Sequence, residues 1–186
     1  EAEKNGERTR VFCASLCDVF EDHPTANATR PRLWELIRKC QWLDWQLLTK
    51  RPERIEANLP ADWGNGWGNV WLGTSIEDMR VAYRADILRK ITATVRFISY
   101  EPALGPLNDL DLTGLDWVLY GGESGSGYRH EDKQWARDMK AKCEAIGTCA
   151  FFHKQSAAYR TEIGIELDGE IVRNYPSRRL ALPVMT

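Results

Sequence analysis

A chain of 186 residues, 43% of them hydrophobic and with eight tryptophans, is long enough for one domain with a sizeable core. Its formal net charge of −2 excludes a global electrostatic pull toward nucleic acid or an anionic membrane, and leaves only a local basic patch open. No apolar run approaches the roughly 18–20 residues that cross a bilayer, and no signal-like segment opens the sequence. The five cysteines, an odd set, read as reduced thiols of a cytoplasmic protein.

In chain order, the first eight residues, EAEKNGER, are charged and carry no fold signal. The apolar run 10–17 predicts a strand. Cys13 and Cys17 lie inside it as a CxxxC, but no third cysteine or histidine stands at ligand spacing, so they read as buried thiols. A helix is expected over 32–40 and a strand over 45–49. Thr49-Lys50-Arg51-Pro52 then has the form of a strand-to-helix turn with proline at the first helical position of 52–58. The loop GNGWGN, flanked by Trp63, Trp67 and Trp71, reads either as a hydrophobic edge or as a stacking platform for a base or sugar.

A strand over 70–74 leads to Asp78, the expected cap of a helix over 78–90 that carries Met79, Ala82, Tyr83, Ile87 and Ile91 at helical spacing. A strand over 95–99 follows, then a loop over 102–115 and a strand over 117–120. RHEDK, with His130, reads as a solvated helix start. The helix 133–146 sets Trp135, Met139 and Cys143 on one face and ends at Gly147, the expected C-cap. A sixth strand over 149–153 precedes a small hairpin, 163–172, around Asp168-Gly169. Residues 177–186 show no period and read as a loose tail.

Strand, helix, strand, helix: this is an α/β pattern, and the strands are continuous apolar runs suited to a parallel sheet covered by helices. Two architectures compete, an open doubly wound sheet and a (βα) barrel. A complete barrel needs about 250 residues, so the length favours a partial TIM-type barrel, a single domain over 1–186.

In either architecture ligands collect at the carboxyl ends of the strands. Here those ends carry polar residues: Asp18, Lys50, Glu77, Glu101, the run Gly121-Gly122-Glu123-Ser124, and Lys154. The predicted ligand-binding set is Lys50, Glu77, Glu101, Gly121, Gly122, Glu123, Ser124 and Lys154. The two glycines admit a close backbone approach, and with Ser124 their N–H groups suit an anion. Lys50 and Lys154 suit a carboxylate or phosphate, and Glu123 an amine or hydroxyl. So many acids together predict a raised pKa on at least one, or recruitment of a cation. A purely structural account competes, with Lys50 paired to Glu77 or Glu101 and Glu123 to Lys50 or Lys154. No nucleophile-elbow sequence supports a Ser–His–Asp reading.

The ordered series VFCASLCDVFED, LLTKRPERI, VWLGTSIED, RFISYEPALGPL, WVLYGGESGSGYR and FFHKQ resembles an uncharacterised domain-of-unknown-function family of phage and bacterial proteins, similar to the radical S-adenosylmethionine barrels. The resemblance runs from about residue 10 to 176. It implies a partial TIM-type barrel and, in complete members, an amino-terminal cysteine cluster holding a [4Fe–4S] centre. No CxxxCxxC occurs in this sequence, which implies either a piece of a longer protein or a member without its cluster. S-adenosylmethionine and [4Fe–4S] are then expected only in a longer parent, because a cluster needs its thiolates. Gly121-Gly122-Glu123 resembles the Gly-Gly-Glu by which such enzymes hold the methionine amino group, but on a late strand rather than an early one.

Three readings follow: an enzyme barrel acting on a nucleotide-like or small anionic substrate, a non-catalytic binding module for a nucleotide or partner protein, or a fragment that self-associates through an open barrel edge. Nucleic acid is not indicated by the net charge, and no membrane partner is expected.

Overall fold

A computed structural model of the chain describes residues 2–14 and 17–177. Six strands form one sheet: β1 (Thr9–Cys13), β2 (Leu43–Thr49), β3 (Val70–Ser75), β4 (Val95–Tyr100), β5 (Trp117–Gly121) and β6 (Ala150–Gln155). Every neighbouring pair is parallel, and the spatial order is the sequence order, β1 to β6. A doubly wound sheet reverses its order at a switch point; this one never does. Because parallel crossovers are right-handed as a rule, an unreversed order puts the connections on one face and curls the sheet, giving an α/β half-barrel.

Register separates the two faces, since paired residues of a parallel ladder share a side. Trp45, Leu47, Val70, Leu72, Ile98, Tyr100, Val118, Tyr120 and Phe151 face the helices, where they join Trp34, Ile37, Ala85, Leu88, Met139 and Cys143 in one core. The inner face holds a second cluster of Trp71, Val95, Phe97 and Trp117, with Leu48, Leu119 and Phe152 against it. Trp117 is its hub, with ring contacts at 5.4–5.8 Å to Trp71, Phe97, Phe152 and Tyr175. Gly73 is required beneath it, because a Cβ there would lie 2.3 Å from the Phe97 ring.

The last described segment ties the two edges of the sheet together. Val172 and Asn174 hydrogen-bond to β6 (His153 N–H to Val172 O, 2.7 Å; Asn174 N–H to Phe151 O, 3.1 Å), and Trp117 Nε1 donates to Asn174 O at 2.9 Å. Tyr175 then lies under the guanidinium of Arg10 of β1, 3.6 Å from ring centroid to Cζ. Among the described residues no strand or bridge pairs the outer edge of β1.

Several elements differ from their predicted bounds. β1 stops at Cys13, because Ala14 turns left-handed at φ 63°; residues 15 and 16 of the predicted run lie outside the described residues. Cys13 is half-buried and Cys17 exposed, not both buried. Helix α1 (Ala2–Asn5) is one turn in the segment without a signal. Helix α2 (Pro24–Lys39) starts well before residue 32 and runs through Pro31. Its first half is held by Arg30, which donates to Val19 O, Glu21 O, Asn27 Oδ1 and Asn58 Oδ1. Residues 52–58 form two 3₁₀ turns rather than a helix.

After Asp78, which does cap its turn, Met79–Val81 is also 3₁₀ and α3 (Tyr83–Arg89) begins only at Tyr83. That tighter turn shifts the helical phase, so Ala85 and Leu88 face the core while Met79 and Tyr83 are exposed. Helix α4 (Lys133–Ile146) and its Gly147 cap fall where the pattern places them. The 163–172 hairpin reduces to a tight turn, Leu167 and Glu170 exchanging both backbone hydrogen bonds around Asp168 and Gly169, which have positive φ. The expected tail lies, apart from Ser177, outside the described residues. No helix among the described residues is long and apolar enough to cross a membrane.

Candidate functional site

The strand ends do converge on one rim, but as separate ion pairs. Asp18 accepts from Phe20 N–H, Thr49 Oγ1, Lys50 N–H and Arg51 Nη1 at 2.7–3.1 Å. It thereby fastens the segment after β1 to the end of β2. Lys50 Nζ meets Glu77 Oε1 at 2.5 Å, while Arg84 Nη1 holds the other Glu77 oxygen at 3.2 Å and Ser75 O at 2.9 Å. Arg80 is forked onto Asp78 at 2.6–3.1 Å. Lys154 Nζ donates to both oxygens of Glu101, at 2.7 and 2.9 Å.

The Gly-Gly-Glu-Ser run answers a different need from the one its sequence suggests. A Cβ at Gly121 would lie 3.0 Å from Glu101 Cδ, so this glycine makes room for the Glu101 carboxylate. A Cβ at Gly122 would lie 2.1 Å from Ala157 N; the close approach is to the chain's own backbone. Gly122 N–H is spent on Gln155 O at 3.0 Å, and Ser124, bridged to Ala158, is exposed. Two N–H groups free for an anion are therefore not what this loop offers.

Glu123 pairs with Arg129, not with Lys50 or Lys154. Arg129 donates its backbone N–H, Nε and Nη2 to the carboxylate at 2.7–2.9 Å. Those bonds hold the Glu123 carboxyl down at about 2, opposite to the raised value expected from crowded acids.

Lys50, Glu77, Asp78, Arg80 and Arg129 line one cleft of about 360 Å³, floored by Val81, Pro102 and Leu104. The Glu101–Lys154 pair and the glycines are not part of its lining. Another cleft, of about 380 Å³, lies on the flank between Leu107 and α4, with Asp138 and Lys142 as its charged groups. Arg80, Arg84 and Arg129 were missed by sequence reasoning. Only their places a few residues beyond Glu77, Asp78 and Glu123 hinted at them.

In four rim pairs beyond β2, β3, β4 and β5 the cation is the more exposed partner, whereas beyond β1 Glu21 is as exposed as Arg51 and Asp22 more exposed than Arg54. The difference runs from 85% against 13% for Arg80–Asp78 to 43% against 24% for Lys154–Glu101, and Lys50–Glu77 and Arg129–Glu123 lie between. On the helices and their loops the order is reversed. In Arg38–Asp62, Arg89–Asp86, Arg89–Asp111, Arg137–Asp168 and Lys140–Glu144 the carboxylate is the more exposed. A nearly neutral chain thus turns the positive heads of these four pairs outward at the strand ends and the negative heads outward in the five pairs of the helices and their loops.

Other candidates are structural. Trp63 and Trp67 pack on Trp34 at 5.8–6.1 Å, closing a hydrophobic edge. His153 is buried on the helix side, stacked on Tyr120 with Nε2 3.0 Å from Gly164 O, and burial lowers its pKa. Among the described residues no group of three His, Cys, Asp or Glu side chains can hold a metal ion. The described residues do not fit an iron–sulfur centre: Cys13 and Cys17 have no third thiol beside them, and Cys143 and Cys149 pair with each other, 4.0 Å apart in the core. Glu123, with both oxygens taken by Arg129, also fits poorly as the holder of a methionine amino group.

Fold and site together define an α/β half-barrel with a charged cleft at the carboxyl ends of its strands. The chain belongs to the family described as "Protein of unknown function (DUF5131)", whose model matches residues 1–176. No curated protein and no solved structure matches the chain.

Proposed function

We propose that the carboxyl-end rim binds a small anionic, nucleotide-like ligand, on a cytoplasmic barrel of the radical S-adenosylmethionine kind and of the phage-borne type that the motifs resemble. The observation that carries this reading is the outward polarity of the rim pairs around an apolar floor. Each carboxylate holds a cation in place from behind, and the outer N–H groups remain for a ligand oxygen. Charge-assisted bonds of this type are the strong ones, and arginine forks match phosphate geometry.

Calorimetry with inorganic phosphate, deoxythymidine monophosphate and S-adenosylmethionine tests it. Phosphate-bearing ligands should bind, and Lys50→Met should weaken them about tenfold, the equivalent of ~1.4 kcal/mol. If Lys50→Met and Glu123→Gln stabilise the fold and leave all binding intact, the rim is only structural.

A second reading rests on β1, whose outer edge is unpaired among the described residues and whose Phe12 is exposed. Such an edge favours self-association. Sedimentation velocity should then show a concentration-dependent dimer that Phe12→Lys abolishes; a strict monomer refutes it.

A further inference from the structure

We infer that the rim engages an extended single strand of nucleic acid rather than one nucleotide. This rests on the anion-binding reading above and names the ligand class.

The first ground is reach. The outward cations are Lys50 directly after β2, Arg80 in the 3₁₀ turn after β3, Arg129 in the loop after β5 and Lys154 near the end of β6. From β2 to β6 is four strand spacings, roughly 19 Å of sheet edge at about 4.8 Å each. A compact ligand in the cleft meets at most the three that line it, Lys50, Arg80 and Arg129, and leaves Lys154 outside. A chain of phosphates meets the row.

The second ground is the set of aromatic residues that follow these cations closely in the chain. Tyr83, three residues after Arg80, is 55% exposed, and Tyr159, just past β6, is 65% exposed with the Arg160 guanidinium 5.6 Å from its ring. Tyr128 and His130 flank Arg129 with their rings 5.0 Å apart. Cations that track a backbone, interleaved with exposed rings on which bases stack, are the recurring design of single-strand binders. An acidic peptide would use the cations and leave the rings idle. A duplex keeps its bases stacked and offers the rings nothing.

The overall charge of −2 does not oppose this, because exposed carboxylates such as Asp62, Asp86 and Asp168 lie on the flanks, and those nearest the rim, Glu21 and Asp22, sit beyond β1, outside the row from β2 to β6.

The test is fluorescence anisotropy of the full chain with a labelled dodecamer of deoxythymidine. Unlabelled deoxythymidine monophosphate, inorganic phosphate and a twelve-residue polyglutamate serve as competitors. The dodecamer should bind at least about tenfold more tightly than the mononucleotide. Four phosphate contacts predict a slope of log affinity against log salt near −2.8, about a 50-fold loss between 50 and 200 mM. Arg80→Gln and Lys154→Gln should each reduce that slope by about 0.7. Tyr83→Ala and Tyr159→Ala should weaken binding at least about fivefold at unchanged slope.

A dodecamer that binds no better than the mononucleotide, with a slope near −0.7, overturns the inference and leaves the anion site standing. Polyglutamate competing as well as the dodecamer, or tyrosine variants without effect, also overturns it, in favour of an acidic protein partner. If phosphate, mononucleotide and dodecamer all fail to bind, both readings fall together.

Discussion

The ion pairs of the rim and those of the helical flank use the same chemistry to opposite ends. At the rim Asp78 and Glu77 are covered and their cations project; on the flank Asp86 and Asp168 project and their arginines lie along the surface. An exposed pair contributes little to stability wherever it sits. What differs is which charge a visiting molecule meets first. Counting salt bridges would rate the two regions alike, whereas asking which partner faces water separates them.

The largest expected effect comes from taking away a covered rim acid. Asp18→Ala strips the acceptor from four donors, among them Thr49 Oγ1 and Arg51, and should destabilise the fold by about 2–4 kcal/mol. At this chain length that is a drop of roughly 5–15 °C in the midpoint of thermal unfolding. Asp168→Ala on the flank should stay within about 0.5 kcal/mol. Equal losses at the two sites, read by calorimetric unfolding, would erase the distinction.

Next in size is a reversal of the outward charge. Arg80→Glu should lower phosphate affinity about tenfold or more, while Arg137→Glu, which breaks the pair with Asp168, should leave it unchanged. Titration calorimetry at low salt compares the two directly.

Smallest is the pH response. Glu123 titrates near 2 in the folded chain against an ordinary 4.5, so its pairing with Arg129 stabilises the fold above about pH 4.5, and that contribution fades as the pH falls toward 2. Asp168 is lowered too, first by its hydrogen bond from Arg137, so the sign is the same. Stability curves between pH 6 and 2 should flatten slightly in both Glu123→Gln and Asp168→Asn. A flattening in only one of them would show that the two regions differ in energetics as well as in orientation.

The strands were legible because apolar runs of Val, Ile, Leu, Phe and Trp are what a sheet buried on both faces demands, and α4 because Trp135, Met139 and Cys143 keep one phase up to a glycine cap. Pro31 hid the first half of α2, whose stability comes from Arg30 reaching residues far along the chain. The phase of α3 was lost to a 3₁₀ turn that no residue type announces. At the rim, Lys50, Glu77, Glu101 and Lys154 could be placed because strand ends can be counted, although only the first two line the cleft. Arg129 was not, because it meets Glu123 only through a loop folded back by Gly125 and Gly127, at φ 121° and 78°. The demand on Gly122 comes from Ala157, a neighbour in space that no local pattern reveals.

The contact between Arg10 and Tyr175 has a consequence for how the chain is threaded. β1 and the segment that follows β6 meet at this contact, so a flexible link joining the chain before β1 to the chain after Tyr175 would close a loop at modest entropic expense. The polypeptide can then be reopened elsewhere, for instance between Asp168 and Gly169 in their exposed turn, with all five strand pairings intact. Such a circular permutant should keep the same sheet while beginning and ending in a different place. Order along the chain and arrangement in space are, for this half-barrel, separable properties.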